Sequence, residues 1–132
     1  MAQALDRFCS SLLVIGKAAV RVMPLVTVLT DVDALIGAKK EVCAMVHNAV
    51  KTALGKPDQY ITVALSKAEC ITVAGQEASV VVEIDSIGGD FGALISTIAE
   101  GLKAHGVEPS KVTGTFRGVS FKEFAMNGRP LG

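Results

Sequence analysis

The chain runs through the same order of local signals twice. Leu25-Val26-Thr27-Val28-Leu29-Thr30 is rich in β-branched and apolar residues and is closed by Asp31 and Asp33, which predicts a strand. From Ala34 to Leu54, Leu35, Val42, Met45, Val46, Ala49, Val50 and Ala53 recur at helical spacing. Gly55 then supplies a left-handed stop and Pro57 forbids continuation. Tyr60 to Leu65 predicts the next strand. In the second half, Ser79 to Ile84 predicts a strand broken by Gly88-Gly89, and Phe91 to His105 a helix with Leu94, Ile95, Ile98 and Leu102 on one face. Gly106 and Pro109 end that helix, and Lys111 to Phe116 predicts a last strand. The two strand starts, near Pro24 and Ser79, lie roughly 55 residues apart, the scale of a supersecondary repeat.

A strand, a crossover helix and a second, parallel strand form a right-handed βαβ unit. Two pseudo-symmetric units predict an α/β (α+β) domain, with one four-stranded sheet and two helices on a single face. The other face is left bare, although the strands read as apolar on both sides, and the outer strands have open edges. Such a sheet calls for a partner subunit. Composition makes the same demand. Of 132 residues, 50% are apolar and 20% charged, and the mean hydropathy of +0.47 is high for one small domain. A membrane is the poorer outlet for that excess. Leu12 to Ile15 and Val80 to Val82 are far shorter than the roughly 20 apolar residues of a spanning helix.

The 13 basic and 13 acidic side chains cancel, which argues against nucleic acid as a partner, since binding it needs a basic face. Cys9, Cys43 and Cys70 are odd in number and widely spaced, so free thiols in a reducing compartment are expected rather than disulfides or zinc. His47 and His105 fall on predicted helices with no second ligand at metal spacing. Residues 1–22 set Arg7, Lys17 and Arg21 against the single acid Asp6, with Ser10, Ser11 and several alanines between. Three readings of this stretch stay open: an organelle transit peptide, a poorer secretory signal, or a segment outside a chain that starts at Met23. The domain division is therefore 1–23, an extension, and 24–132, the folded unit.

Four segments, in this order and spacing around the repeat, carry a resemblance: Met23-Pro24-Leu25-Val26, Gly55-Lys56-Pro57 with Gln59-Tyr60-Ile61, Ser86-Ile87-Gly88-Gly89, and the ending Ala125-Met126-Asn127-Gly128. Residues 23–132 resemble the macrophage migration inhibitory factor family, which includes D-dopachrome tautomerase and belongs to the tautomerase superfamily. The resemblance implies a homotrimer whose sheets wrap into a central barrel, with short extra strands at the seams. It implies keto–enol isomerisation of small keto acids such as phenylpyruvate, or of dopachrome-like substrates, without cofactor or metal. It implies Pro24 as the base and Lys56 as carboxylate anchor. Leu25, Ser86 and Ile87 would line the pocket, with the Ile87 N–H donating to substrate. Thr113 and Thr115 would come from the next subunit, and Met126 would stand near the C-terminus. The family implies a cytoplasmic protein, also exported by a non-classical route, with organelle import by residues 1–22 the other open address.

A proline nitrogen is a base only when it is not acylated, so Pro24 must be the first residue of the chain for this chemistry. Desolvation in an apolar pocket would then lower its pKa and leave a neutral fraction near pH 7. The family's tyrosine and asparagine are Thr113 and Thr115 here, its C-terminal tryptophan is Met126, and its Phe-Gly-Gly-Ser-like turn is Val73-Ala74-Gly75-Gln76. Ser79 to Val82 stands where some members carry C-x-x-C, so thiol-redox activity is not expected. Pro24, Lys56 and Ser86-Ile87 favour the isomerase, while Thr113, Thr115 and the N-terminal extension favour the competing reading, a non-catalytic protein-binding or receptor-binding module with a vestigial pocket.

Overall fold

The computed structural model describes residues 24–55, 57–88 and 90–131. The expectations for residues 1–23, Cys9, Lys56 and Gly89 lie outside the described residues. Strand β1 (Leu25–Thr30) is followed by a short helix α1 (Asp33–Gly37) and the long helix α2 (Lys39–Leu54). After a 3₁₀ turn come β2 (Thr62–Lys67), β3 (Val80–Ser86), α3 (Phe91–Lys103) and β4 (Val112–Gly118). A two-stranded ribbon, β5 (Ala125–Met126) and β6 (Arg129–Pro130), ends the described chain.

The sheet order is β2-β1-β3-β4. β1 pairs in parallel with β2, and β3 with β4, as two βαβ units require. The units join through an antiparallel β1–β3 ladder running from Leu25 opposite Asp85 to Thr30 opposite Val80. Alternation then decides the faces. Val26 and Val28 of β1 and Val80, Val82 and Ile84 of β3 are sealed beneath the helices. There they meet Val42, Val46, Ala49 and Val50 of α2 and Leu94, Ile98 and Leu102 of α3 in one core. Two glycines allow close packing. A Cβ on Gly101 would run into the Met45 side chain, and one on Gly114 would come within 2.6 Å of Ile95 Cδ1.

Three expectations need correction. The helix predicted over Ala34–Leu54 breaks at Ala38 (φ −105°, ψ 31°), so the turn carrying buried Leu35 is separate from α2. Gly37, a poor helix former, directly precedes the break. Tyr60 belongs not to β2 but to the 3₁₀ turn Asp58–Tyr60, set up by Pro57 in an extended conformation (ψ 155°). The third concerns the open face, which is not apolar. By register it carries Thr27, Thr62, Thr113, Thr115, Glu83, Asp85 and Arg117 around Leu25, Leu29, Ala64 and Val81. Threonine serves a strand as well as valine does, so strand-forming residues read as apolar without being so.

The long β2–β3 connection is held by hydrogen bonds to the end of β1. Asp31 accepts from the Ile71 N–H at 2.8 Å and the Ser79 N–H at 3.0 Å. Buried Thr30 donates its hydroxyl to the Ser79 carbonyl at 3.1 Å and accepts from the Val32 N–H at 3.0 Å. Within the loop, Val73 bridges Gln76 across Ala74 (φ 54°) and Gly75 (φ 78°), a tight turn with both central residues left-handed. Asp31→Ala would strand two partly buried backbone donors. It is expected to lower stability by about 1–3 kcal/mol, read as a lower urea midpoint with an unchanged m-value.

Candidate functional site

One end of the sheet gathers most of the residues singled out from the sequence. Pro24 is buried at the head of β1, and its carbonyl accepts from the Thr62 N–H at 3.2 Å, tying the edge strand to it. Since Leu25 faces Asp85, the antiparallel ladder brings Pro24 beside the end of β3, where Ser86 and Ile87 begin the turn to α3. Ser86 is buried and donates its hydroxyl to the Gly88 carbonyl at 2.6 Å. Gly88 takes φ 77°, a conformation that favours glycine. The Ser86 carbonyl accepts from Val119 N–H at 2.9 Å, which brings the end of β4 in as well. Beyond the turn, Asp90 caps α3 by accepting from the Ala93 N–H at 3.1 Å. Phe91 packs on Phe116 with ring centroids 5.0 Å apart.

On the open face of this end lies a cavity of about 230 Å³. Its walls are Leu25, Asp85 and Arg117 from one cross-strand row, and Val119, Glu123, Phe124 and Ala125 from the C-terminal segment. Arg117 donates from Nε to Asp85 Oδ1 at 2.7 Å and from Nη2 to Oδ2 at 3.2 Å, a bidentate pair. The hydrogen bond to Asp85 raises the Arg117 pKa above its ordinary value, helped by the charges of Asp85 and Glu83. Glu123 closes a capping box with Ser120. The Ser120 backbone hydrogen bond is the main cause holding its carboxyl below the usual range. Met126 follows Ala125 on β5 and is half-buried. The β5–β6 turn is Asn127-Gly128, both left-handed (φ 56° and 74°), which is the residue pair such a turn selects.

A second cleft, of about 590 Å³, runs between α2 and the start of β2, lined by Cys43, Ala44, His47, Asn48, Ile61, Thr62 and Val63. At its end the Asp58 carboxylate meets His47 Nε2 at 2.9 Å and Lys51 Nζ at 3.2 Å. Cys43 is half-buried and Cys70 exposed, both as free thiols.

With this geometry the chain can be compared with known proteins. No family model matches it, and no curated protein matches its sequence. Solved structures do match. A macrophage migration inhibitory factor-like protein from Entamoeba histolytica superposes with a TM-score of 0.72 at 20% identity, covering 80% of this chain and 96% of that one. Macrophage migration inhibitory factor of Toxoplasma gondii gives 0.67 at 27% identity, over 79% and 96%. A fused 4-OT, solved as a symmetric trimer, gives 0.68 at 22% identity, over 81% and 95%. The chain has the tautomerase fold.

The tautomerase fold thus brings Pro24, Leu25, Ser86 and Ile87 together within one chain. It does not bring Thr113 and Thr115 to them. Both stand on the open face of edge strand β4, opposite Val81 and Glu83, several residues back from the Pro24 end. Sequence reasoning missed Asp85, Arg117, Val119, Glu123 and Phe124. Opposite charges directly across β3 and β4 were the available signal, legible once the two strands are aligned in parallel.

The Asp58 carboxylate is shared between two basic side chains. Its hydrogen bond from His47, then that from Lys51, holds the Asp58 pKa below the ordinary value. A lowered carboxylate pKa adds stability above the unfolded-state value, and this is lost as pH falls through the folded-state value. In a carboxyl-carbon NMR titration, Asp58 should titrate below 3.8. The Lys51→Met variant should move its midpoint upward.

Proposed function

We propose that the chain is a cofactor-independent tautomerase, acting on keto–enol acids of phenylpyruvate or dopachrome type, when Pro24 is its first residue. The observation that carries this reading is a buried proline at the head of the strand lying beside the Ser86-Ile87 turn, in a tautomerase fold. A free prolyl amine there, desolvated by the buried surroundings, would take a proton from the carbon next to the carbonyl and return it at the other end of the enol. Lys56 would hold the substrate carboxylate and the Ile87 N–H would donate to substrate. Leu25, Ser86 and Met126 would complete the walls. Thr113 and Thr115 would be supplied by the neighbour in a homotrimer, which explains why one chain keeps them apart from Pro24. Residues 24–132 are then the catalytic unit. Residues 1–23 are an extension that blocks the base while it is attached.

The open sheet edges β2 and β4 and the fold's trimeric relative support the assembly. Light scattering of residues 24–132 at micromolar concentration should give the mass of three chains, and a monomeric mass would overturn it. The chain starting at Pro24 should tautomerise phenylpyruvate, and the chain starting at Met1 should not. Pro24→Gly should lower kcat/KM by about 10²- to 10⁴-fold, the range expected for a positioned general base. A Pro24 chain that is inactive, or equally active as Pro24→Gly, would leave the protein-binding module as the function.

A further inference from the structure

The cavity on the open face, walled by Leu25, the residue after Pro24, combines an apolar wall with charges that do not cancel. Arg117 is fixed in plane by its two bonds to Asp85, while its Nη1 has no hydrogen-bond partner among the described residues. Its side chain is 67% exposed against 26% for Asp85, so the guanidinium stands at the mouth and the carboxylate beneath it. Leu25 and Phe124 are apolar neighbours, and Glu83, one row back on the same face, adds a second carboxylate whose charge also raises the Arg117 pKa. Two carboxylates, Asp85 in contact and Glu83 through its charge, therefore act on one guanidinium. A guanidinium so neutralised attracts a further anion weakly but keeps a flat, poorly hydrated face suited to stacking on π systems. The row Leu25–Asp85–Arg117 lies one strand step from Pro24, about 3.3 Å along β1. A cavity of about 230 Å³ suits a small acid rather than a larger ligand.

We propose that the Asp85–Arg117 pair sets substrate choice at this site. The guanidinium face packs on the aromatic or conjugated end of a monocarboxylic keto acid, and the surplus carboxylate turns dicarboxylic keto acids away. This rests on the tautomerase reading above. It assigns specificity to two residues that the resemblance does not name, in a pocket where Thr113 and Thr115 cannot stack.

The test is steady-state tautomerisation of phenylpyruvate and of oxaloacetate by the chain beginning at Pro24. Arg117→Lys keeps the charge and removes the plane. It should raise KM for phenylpyruvate about three- to tenfold with kcat within about twofold. Asp85→Asn removes one carboxylate and frees the guanidinium. It should shift the kcat/KM ratio toward oxaloacetate on the order of tenfold. A ratio unmoved by Asp85→Asn, together with an unmoved KM in Arg117→Lys, would overturn the proposal. If neither acid is turned over, the tautomerase reading falls and binding still decides the role of the pair. A shift of the Arg117 Nε nitrogen resonance with phenylpyruvate, exceeding that with oxaloacetate, supports it. An absent or reversed preference refutes it.

Discussion

The antiparallel ladder between β1 and β3 is the constraint on which the rest depends. Each βαβ half can cover only one face of two strands. The ladder from Leu25–Asp85 to Thr30–Val80 turns the halves into one sheet and their helices into one layer. Because strand side chains alternate, a slip of one residue would bring Leu25 and Thr27 into the core and expel Val26 and Val28. Each buried valine is worth about 1.5–3 kcal/mol, so the register is firmly set. The same register puts Pro24 beside the Ser86 turn and Asp85 between Leu25 and Arg117. Core and candidate site are specified by one alignment.

That alignment also changes what the high apolar content means. The surplus expected on an open face sits instead beneath α2 and α3, in the buried residues of β1, β3 and both helices. The open face is a field of threonines and charges with a few apolar side chains among them. Burying it would gain little from area. A neighbour gains more by pairing with the exposed backbone of β2 and β4, each bond adding about 0.5–1.5 kcal/mol net, and by covering Leu25, Leu29 and Val81. Assembly of this fold is thus a matter of completing a sheet rather than of hiding a hydrophobic surface.

Local chemistry was legible in the sequence where one residue decides the outcome. Gly55 caps α2 in the left-handed conformation with its N–H on the Lys51 carbonyl, as the Gly-x-Pro stop implies. The core-facing stripes Val42-Val46-Ala49-Val50 and Leu94-Ile98-Leu102 follow from helical spacing. Whatever depends on tertiary partners was not legible. The break at Ala38 is a local departure inside an otherwise continuous periodicity. Asp31 finds Ile71 and Ser79 40 and 48 residues away, and Asp85 finds Arg117 across a parallel pairing, so neither has a local signature. The family resemblance supplied Pro24, Leu25, Ser86 and Ile87. It could not supply the charge pair, which stands at positions outside its motifs.

The charge pair bears in turn on the proposed base. A prolyl amine at position 24 would feel two opposed influences. Burial disfavours the ammonium form and can lower a pKa by as much as about 3–5 units for a fully buried group. The open face would work the other way, because Asp85 and Glu83 outnumber Arg117 and would favour the cation. Distance and solvent decide between them. Glu83 is exposed, and a unit charge 4 Å away in water contributes only about 1 kcal/mol, or under one pKa unit. Arg117 answers Asp85 before either reaches the amine. Desolvation would therefore win, and on the proposed reading the pairing of Arg117 with Asp85 would serve two ends. It would present a flat face to the substrate and keep the local carboxylate from undoing the low basicity that a proline base needs near neutral pH.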